Sequence, residues 1–349
     1  MGRLRHLEPT GCRGGPYRRT LMQYTYLGRT ALKVSRLCLG TLNLGVRASD
    51  EESHAILDTA LDRGVNFIDT ANQYGWQKHK GYTEEFLGGW FARGGGRREK
   101  VVLGTKVFNP MTDRPNDSGL SARHIIASCE DSLRRMGTDW IDLFQMHHID
   151  RHAPWEEVWQ AMETLTRQGK VRYIGSSNFA GWHIAEAQEA AARRHFLGIV
   201  SEQSVYNLVT RHVELELIPA AQRYGVGVLA WSPLHGGLLS GALRKLAEGT
   251  AMKTAQGRAA QALEVHRDAV AAYEKLCDGL GADPAEVGLA WVMGRPGITA
   301  PVIGPRSLDQ LEGAFKAMEL TLSDEVLAEL DRLFPPIGNG GPGPEAWAW

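Results

Sequence analysis

Eight times along this chain, a short apolar run rich in β-branched residues is followed by a helical pattern. Strands are expected near Arg36–Leu39, 66–69, 101–106, 141–146, 171–175, 199–203, 226–231 and 299–303. Helices are expected from the Ser49 cap to Gly64 and near 83–93, 121–136, 155–168, 182–194, 213–224, 284–294 and 307–317. Short, largely apolar strands separated by helices imply a parallel sheet covered on its outer face. Eight such units close on themselves, giving an α/β fold of the (β/α)8 TIM-barrel class. A doubly wound sheet is the rival, but no Gly-x-Gly-x-x-Gly follows an early strand.

Helix punctuation agrees with this reading. Ser49-Asp50-Glu51-Glu52 is a capping box, and Asp283-Pro284-Ala285-Glu286 places an N-cap Asp, an N1 Pro and an N3 Glu. Gln23–Leu27 and Leu32–Val34 flank Gly28-Arg29-Thr30 as a hairpin, Gly28 supplying turn freedom. An additional helix is expected near 264–281, and a last one from Ser323 to before Pro335-Pro336. Residues 1–21 lack periodicity and read as a disordered extension, with Met22 a possible alternative start. Residues 22–334 read as one barrel domain and 335–349 as a tail.

Composition narrows the function classes. A net charge of −1 over 349 residues gives no general attraction to nucleic acid or to an anionic membrane. The four cysteines show no Cys-x-x-Cys pair, which suits a reducing, cytoplasmic setting. No apolar run approaches the ~20 residues of a membrane helix. No His-Glu-x-x-His pair or cysteine cluster calls for a metal, and the neighbours His147 and His148 should diverge if they continue a strand.

The chemistry-bearing residues sit at strand ends. Asp69 closes the run Phe67-Ile68-Asp69, and Tyr74 follows in the next loop. Lys106 ends the strand from Val101, and His147 ends Asp142-Leu143-Phe144-Gln145-Met146-His147. Singly, these would be a cap residue, a packing aromatic, a solvated lysine and a satisfied histidine. Together they occupy the ends of three successive units, which converge on one mouth of a parallel barrel. A phenol with a pKa of ~10 is a poor acid near neutrality. Lowering it by ~2 units requires roughly 2.7 kcal/mol. One charge at ~4 Å contributes up to ~4 kcal/mol at an effective dielectric of ~20, so Lys106 alone should suffice.

This pattern resembles the catalytic tetrad of the aldo-keto reductases, and the resemblance covers nearly all of Tyr24 to Phe334. It implies a hairpin plugging the barrel bottom, Tyr74 as general acid, Lys106 and Asp69 supporting it, and His147 orienting a carbonyl. It also implies a nicotinamide cofactor. Ser177, Asn178 and Gln203 match residues that hold the carboxamide. Trp231 matches an aromatic that stacks on the ring, and Ser232, Pro233 and Leu234 follow it where backbone amides meet the pyrophosphate. Gly40 and Thr41 at the first strand end, Gly236, Ser240 and Arg258 in and after the Gly-rich loop, and Ile303, Gly304 and Gln310 complete the set. Arg306, just before a helix N-terminus, suits a 2′-phosphate and favours NADPH. Gly313 and Ala314 stand where the family usually carries Glu-Asn against the adenine.

A narrower resemblance is to the sugar-nucleotide reductases of antibiotic deoxyhexose pathways. It rests on Asn116-Asp117-Ser118-Gly119-Leu120-Ser121, Met146-His147-His148-Ile149-Asp150-Arg151, Ala180-Gly181-Trp182-His183, Trp231-Ser232-Pro233-Leu234-His235-Gly236-Gly237 and Pro344-Glu345-Ala346-Trp347-Ala348-Trp349. It implies a TDP-linked keto-6-deoxyhexose as substrate, reduced at C-3. Trp76, Lys78, Lys80, Phe108, His148 and Arg151 would meet the sugar nucleotide, and the tail would close over it. A broad aldehyde or ketone reductase and a non-catalytic NADPH-sensing subunit are the alternatives. The protein is expected to work as a monomer or homo-oligomer.

Overall fold

A computed structural model describes residues 22–250 and 257–337. The expected extension at 1–21 and most of the 335–349 tail lie outside the described residues. The chain opens with an antiparallel hairpin, β1 (Tyr24–Tyr26) and β2 (Lys33–Ser35). The barrel then runs β3 (Cys38–Gly40), α1 (Asp50–Asp62), β4 (Phe67–Asp69), α2 (Tyr82–Ala92), β5 (Val102–Val107), α3 (Ala122–Met136), β6 (Ile141–Met146) and α4 (Trp155–Arg167). It continues β7 (Val171–Ser177), α5 (Gly181–Arg193), β8 (Ile199–Val205), α6 (Leu217–Tyr224) and β9 (Gly227–Trp231). Next come α7 (Ala242–Ala247), α8 (Gly257–Leu280), α9 (Pro284–Gly294), β10 (Ile298–Ile303), α10 (Leu308–Ala317) and α11 (Asp324–Leu333). The strands β3 to β10 pair in parallel and in order, and β10 returns to β3. The closed eight-stranded barrel is therefore as expected.

The hairpin closes one end. Leu27 and Val34 are fully buried with one inward residue from each of seven barrel strands: Cys38, Phe67, Val102, Leu143, Val200, Leu229 and Ala300. Gly28 has φ +54°, and a Cβ there would lie 2.4 Å from Val200 O and 2.6 Å from Gly225 O. Glycine is required twice at this position, for the turn and for the close approach under the barrel. A larger apolar layer between strands and helices forms the rest of the core, including Trp90, Trp159, Trp291, Phe144 and Phe315. The plugged end forces the chemistry to the other.

Both capping boxes form. Ser49 Oγ accepts from Glu52 N (3.2 Å) while Glu52 Oε2 accepts from Ser49 N (3.1 Å). Asp283 Oδ1 accepts from Ala285 N (2.9 Å) at the start of α9. Two expected boundaries differ. The helix placed at 213–224 divides into a 3-10 turn at His212–Glu214 and α6. The helix placed at 264–281 starts earlier, at Gly257, and breaks its helical geometry at His266 (φ −111°, ψ 18°). After the Gly-rich run, Ala242–Ala247 forms a helix that the expected set does not contain. Six residues carry too little periodicity to stand out, and Glu274 fixes this turn by accepting from Leu243 N (2.8 Å) and Arg244 N (3.1 Å).

Candidate active site

The end of β4 delivers Asp69, the end of β5 Lys106, and the residue after β6 His147. Lys106 is fully buried and Asp69 is 2% exposed. Lys106 Nζ donates to Asp69 Oδ2 at 2.5 Å, to Thr70 O at 2.8 Å and to the Tyr74 hydroxyl at 3.4 Å. The other carboxylate oxygen, Oδ1, accepts from Gln145 Nε2 (2.9 Å) and Gln203 Nε2 (3.0 Å). A buried ion pair persists only when its remaining lone pairs are satisfied, and the two glutamines do that here. Gln145 was not singled out from the sequence; its position one pleat before His147 was the available signal.

Burial pulls Lys106 down, but Asp69 and Tyr74 raise it further, so the ammonium stays charged. Tyr74 departs from expectation. Burial raises its pKa more than Lys106 lowers it, and Asp69 adds to the rise. The simple Coulomb estimate omitted the desolvated phenolate and the carboxylate that neutralises much of the lysine's field. Tyr74 is therefore held as the neutral phenol, the proton-bearing form. Burial, with Lys106 and His148 adding to it, drives the pKa of His147 down to about 2. Its imidazole is neutral and carries one N–H.

The ring of His147 lies edge-on to Tyr74, 6.0 Å between centroids. His148 does not diverge from it. The two imidazoles stack at 5.1 Å with planes 3° apart. Strand pairing ends at Met146, so alternation no longer governs these residues. Among the described residues, no group of three or more His, Cys, Asp or Glu side chains could hold a metal ion there.

From this cluster a cavity of about 1400 Å³ runs along the strand ends. That exceeds the ~300–1000 Å³ of pockets for drug-sized ligands, so an extended molecule fits. Asp69, Tyr74, His147 and His148 line it. So do Gly40, Thr41, Ser177, Asn178, Gln203, Trp231, Ser232, Pro233 and Leu234. Gly236, Ser240, Ile303, Gly304, Arg306 and Gln310 line it too. Gly236 and Gly237 take φ +67° and +106°, and a Cβ on either would meet nothing nearer than 3.7 Å. The loop thus presents bare backbone to the groove, as a phosphate cradle requires.

Arg306 sits just ahead of α10, whose N-cap Ser307 accepts from Gln310 N (3.3 Å). Gln310 Oε1 accepts from Arg306 N (2.9 Å), so this glutamine caps the helix entry as well as lining the groove. Lys245, on α7, also lines the cavity and donates to Ser240 O. The side chain of Arg258 lies outside the described residues. Gly313 and Ala314 line the cavity as well, and a Cβ at Gly313 would meet nothing within 4 Å. These residues fit a dinucleotide cofactor.

Two carboxamide candidates are already engaged. Asn178, at φ +59°, donates from Nδ2 to His147 O (3.1 Å) and to Ser177 Oγ (3.0 Å), and its Oδ1 accepts from Trp231 Nε1 (3.1 Å). Ser177 Oγ donates to Gln203 O (2.7 Å). Beneath them, buried Glu202 accepts from Ser176 Oγ, Ser204 Oγ (2.7 Å) and Phe179 N (3.1 Å). Burial pushes its carboxyl up to about 7. Glu202 was missed because a carboxylate beside the expected Gln203 gives no sequence signal of its own.

The expected substrate residues divide. His148 lines the cavity, and Phe108 packs edge-on against it at 5.3 Å. Trp76 is exposed and packs 6.4 Å from Tyr74. Of the six, only His148 lines the cavity; Trp76, Phe108, Lys78, Lys80 and Arg151 do not. Lys78 donates to the Tyr82 hydroxyl (2.7 Å) and lies 3.7 Å from Asp50. Lys80 donates to Pro110 O (2.6 Å). Both tie down the loop after Tyr74.

The family comparison reads the same way as the geometry. The aldo/keto reductase family model matches residues 36–334. An uncharacterized oxidoreductase of Bacillus subtilis, YrpG, is 53% identical over 333 residues, covering 94% of this chain and all of the relative. A putative voltage-gated potassium channel subunit beta of Schizosaccharomyces pombe is 33% identical, covering 90% of this chain and 94% of its own length. Versiconal hemiacetal acetate reductase of Aspergillus parasiticus is 30% identical, covering 90% of this chain and 98% of its own. The chain belongs to the aldo/keto reductase family and is an oxidoreductase.

Proposed function

We propose that this enzyme uses NADPH to reduce a keto group, and that its substrate is a TDP-linked keto-6-deoxyhexose reduced at C-3. The observation that carries the reduction is the buried Lys106–Asp69 pair, 3.4 Å from the Tyr74 hydroxyl and facing a neutral His147 across one cavity. When bound, the reduced nicotinamide supplies a hydride to the carbonyl carbon. The carbonyl oxygen accepts hydrogen bonds from the Tyr74 hydroxyl and a His147 N–H. As the C=O π bond breaks toward oxygen, Tyr74 transfers its proton to the forming alkoxide. Lys106 stabilises the phenolate left behind, which regains a proton from solvent. Ser177, Asn178, Gln203 and Trp231 would hold the nicotinamide, the Gly236–Ser240 loop the pyrophosphate, and Arg306 the 2′-phosphate.

The sugar-nucleotide assignment draws on the narrower sequence resemblance and on flat surfaces beside the acid. Trp76 adjoins Tyr74, and Phe108 with His148 forms a second aromatic edge. A broad aldehyde or ketone reductase is the second reading. It is favoured by Lys78 and Lys80, whose engagement elsewhere removes two cations expected for a sugar diphosphate. Turnover of NADPH with TDP-linked 6-deoxyhexoses that carry a C-3 ketone, a 2-deoxy-3,4-diketo sugar among them, beside small aldehydes, separates the two. The expected result is a C-3 alcohol by NMR and a kcat/KM for the nucleotide sugar at least ~10-fold higher, about 1.4 kcal/mol in the transition state. Comparable kcat/KM values for both classes would contradict the sugar assignment and leave a general reductase.

A further inference from the structure

The structure assigns Asn109 as the residue that sets the proton position on His147. This inference rests on the carbonyl-reductase reading above. For His147 to polarise a carbonyl, the ring nitrogen facing the cavity must carry the proton. A neutral imidazole has one N–H, and the group bonded to its other nitrogen decides where it sits. Asn109 lies half-buried in the loop after β5, three residues beyond Lys106. Its Nδ2 is 3.1 Å from His147 Nδ1. An amide N–H can only donate, so Nδ1 accepts and the proton resides on Nε2.

The same loop also fixes the ring plane. Phe108 packs against His148, and His148 stacks on His147. Asn178 holds the His147 backbone through its carbonyl at 3.1 Å. The ring is thus located by stacking, its main chain by a residue of the cofactor wall, and its tautomer by Asn109. Asn109 acts through His147 and is a positioning residue. The other groups around the ring, Lys106, His148 and Tyr74, carry positive charge or none, so nothing there favours an imidazolium.

Long-range proton–nitrogen NMR on 15N-histidine-labelled protein reads the tautomer directly, with the His147 signals identified by their loss in His147→Gln. In the wild type, Nε2 should be protonated and Nδ1 bare, unchanged from pH ~5 to ~8. Asn109→Asp keeps the shape but offers an acceptor to Nδ1. It should move the proton to Nδ1 and bring His147 into the titrating range. Its kcat should fall ~10²- to 10⁴-fold, the scale of a misplaced catalytic proton, with NADPH affinity within about twofold. Asn109→Ala should give a mixture of tautomers and an intermediate rate. A wild-type proton on Nδ1 overturns the assignment. So does an Asn109→Asp spectrum identical to wild type, or a switched tautomer with unchanged kcat. The NMR outcome is independent of turnover, so a wild type that reduces no carbonyl would refute the proposed function while leaving the tautomer result standing.

Discussion

Replacing Asp69 with Asn tests how the buried charge is held. The substitution preserves shape but removes the counter-charge of Lys106, which is fully buried and has Asp69 at 2.5 Å. It also turns an acceptor-only group into one with two N–H donors, against Gln145 and Gln203, which both donate to Asp69 Oδ1. At least one donor would then face a donor. Removing one partner of a buried pair costs about 3–5 kcal/mol. At an unfolding entropy of ~2.1 cal/mol/K per residue, a domain of this size shifts by about 1.5 °C per kcal/mol, so the melting temperature should fall by roughly 5–8 °C. Desolvation would also act on Lys106 without opposition from Asp69, lowering its pKa and weakening its hold on a Tyr74 phenolate. The kcat of Asp69→Asn should therefore fall by at least ~10-fold and recover partially at lower pH, where Lys106 is recharged. Calorimetric melting and a pH–rate profile read both effects. A variant that melts with the wild type and turns over within threefold would refute this account of the pair.

Three further outcomes follow from the site. Glu202, raised to about 7 by burial, binds its proton more tightly folded than unfolded, where a glutamate sits near ~4.3. Its stabilising contribution is therefore full below ~4.3 and is lost as pH rises through about 7, on the order of 3 kcal/mol. The wild-type advantage over Glu202→Gln in unfolding free energy should shrink from pH ~5 to ~8, and a constant difference would contradict the assignment. Arg306→Ala should weaken NADPH binding about 10- to 100-fold and NADH binding little, by fluorescence titration, since only NADPH carries the 2′-phosphate; equal losses would remove Arg306 from that site. Because Tyr74 is raised above the ordinary phenol range, kcat should show no falling limb below pH ~9, and a limb centred near ~8 would contradict a neutral donor phenol.

The barrel was legible because its strands are short, apolar and bounded by recognisable caps, and because eight such units admit few closures. That Asp69, Tyr74, Lys106 and His147 lie together was legible because strand ends in a parallel barrel share one mouth, whatever lies between them. Asn109, Gln145 and Glu202 were not. Each acts on a residue from another strand, at contacts that no sequence spacing encodes. Lys78 and Lys80 show the opposite limit. Their place after Tyr74 suggested a mouth-facing pair, but Lys78 reaches Tyr82 and Asp50 while Lys80 reaches Pro110. Charge in a loop reports composition; direction comes from backbone turns such as the one with Gly75 at φ +91° and Gly81 at φ +94°. The Coulomb estimate for Tyr74 failed for a related reason, since burial and the second charge were both tertiary facts.

The most direct test of the central claim is single-turnover reduction by Tyr74→Phe with NADPH already bound. The variant keeps the ring, its contacts with Trp76 and His147, and the Lys106–Asp69 pair, and lacks only the transferable proton. The account expects the hydride-transfer rate to fall ~10²- to 10⁴-fold with NADPH affinity nearly unchanged. A Tyr74→Phe enzyme that oxidises NADPH with substrate at close to the wild-type rate would contradict it, and the acid would have to be sought elsewhere in the cavity.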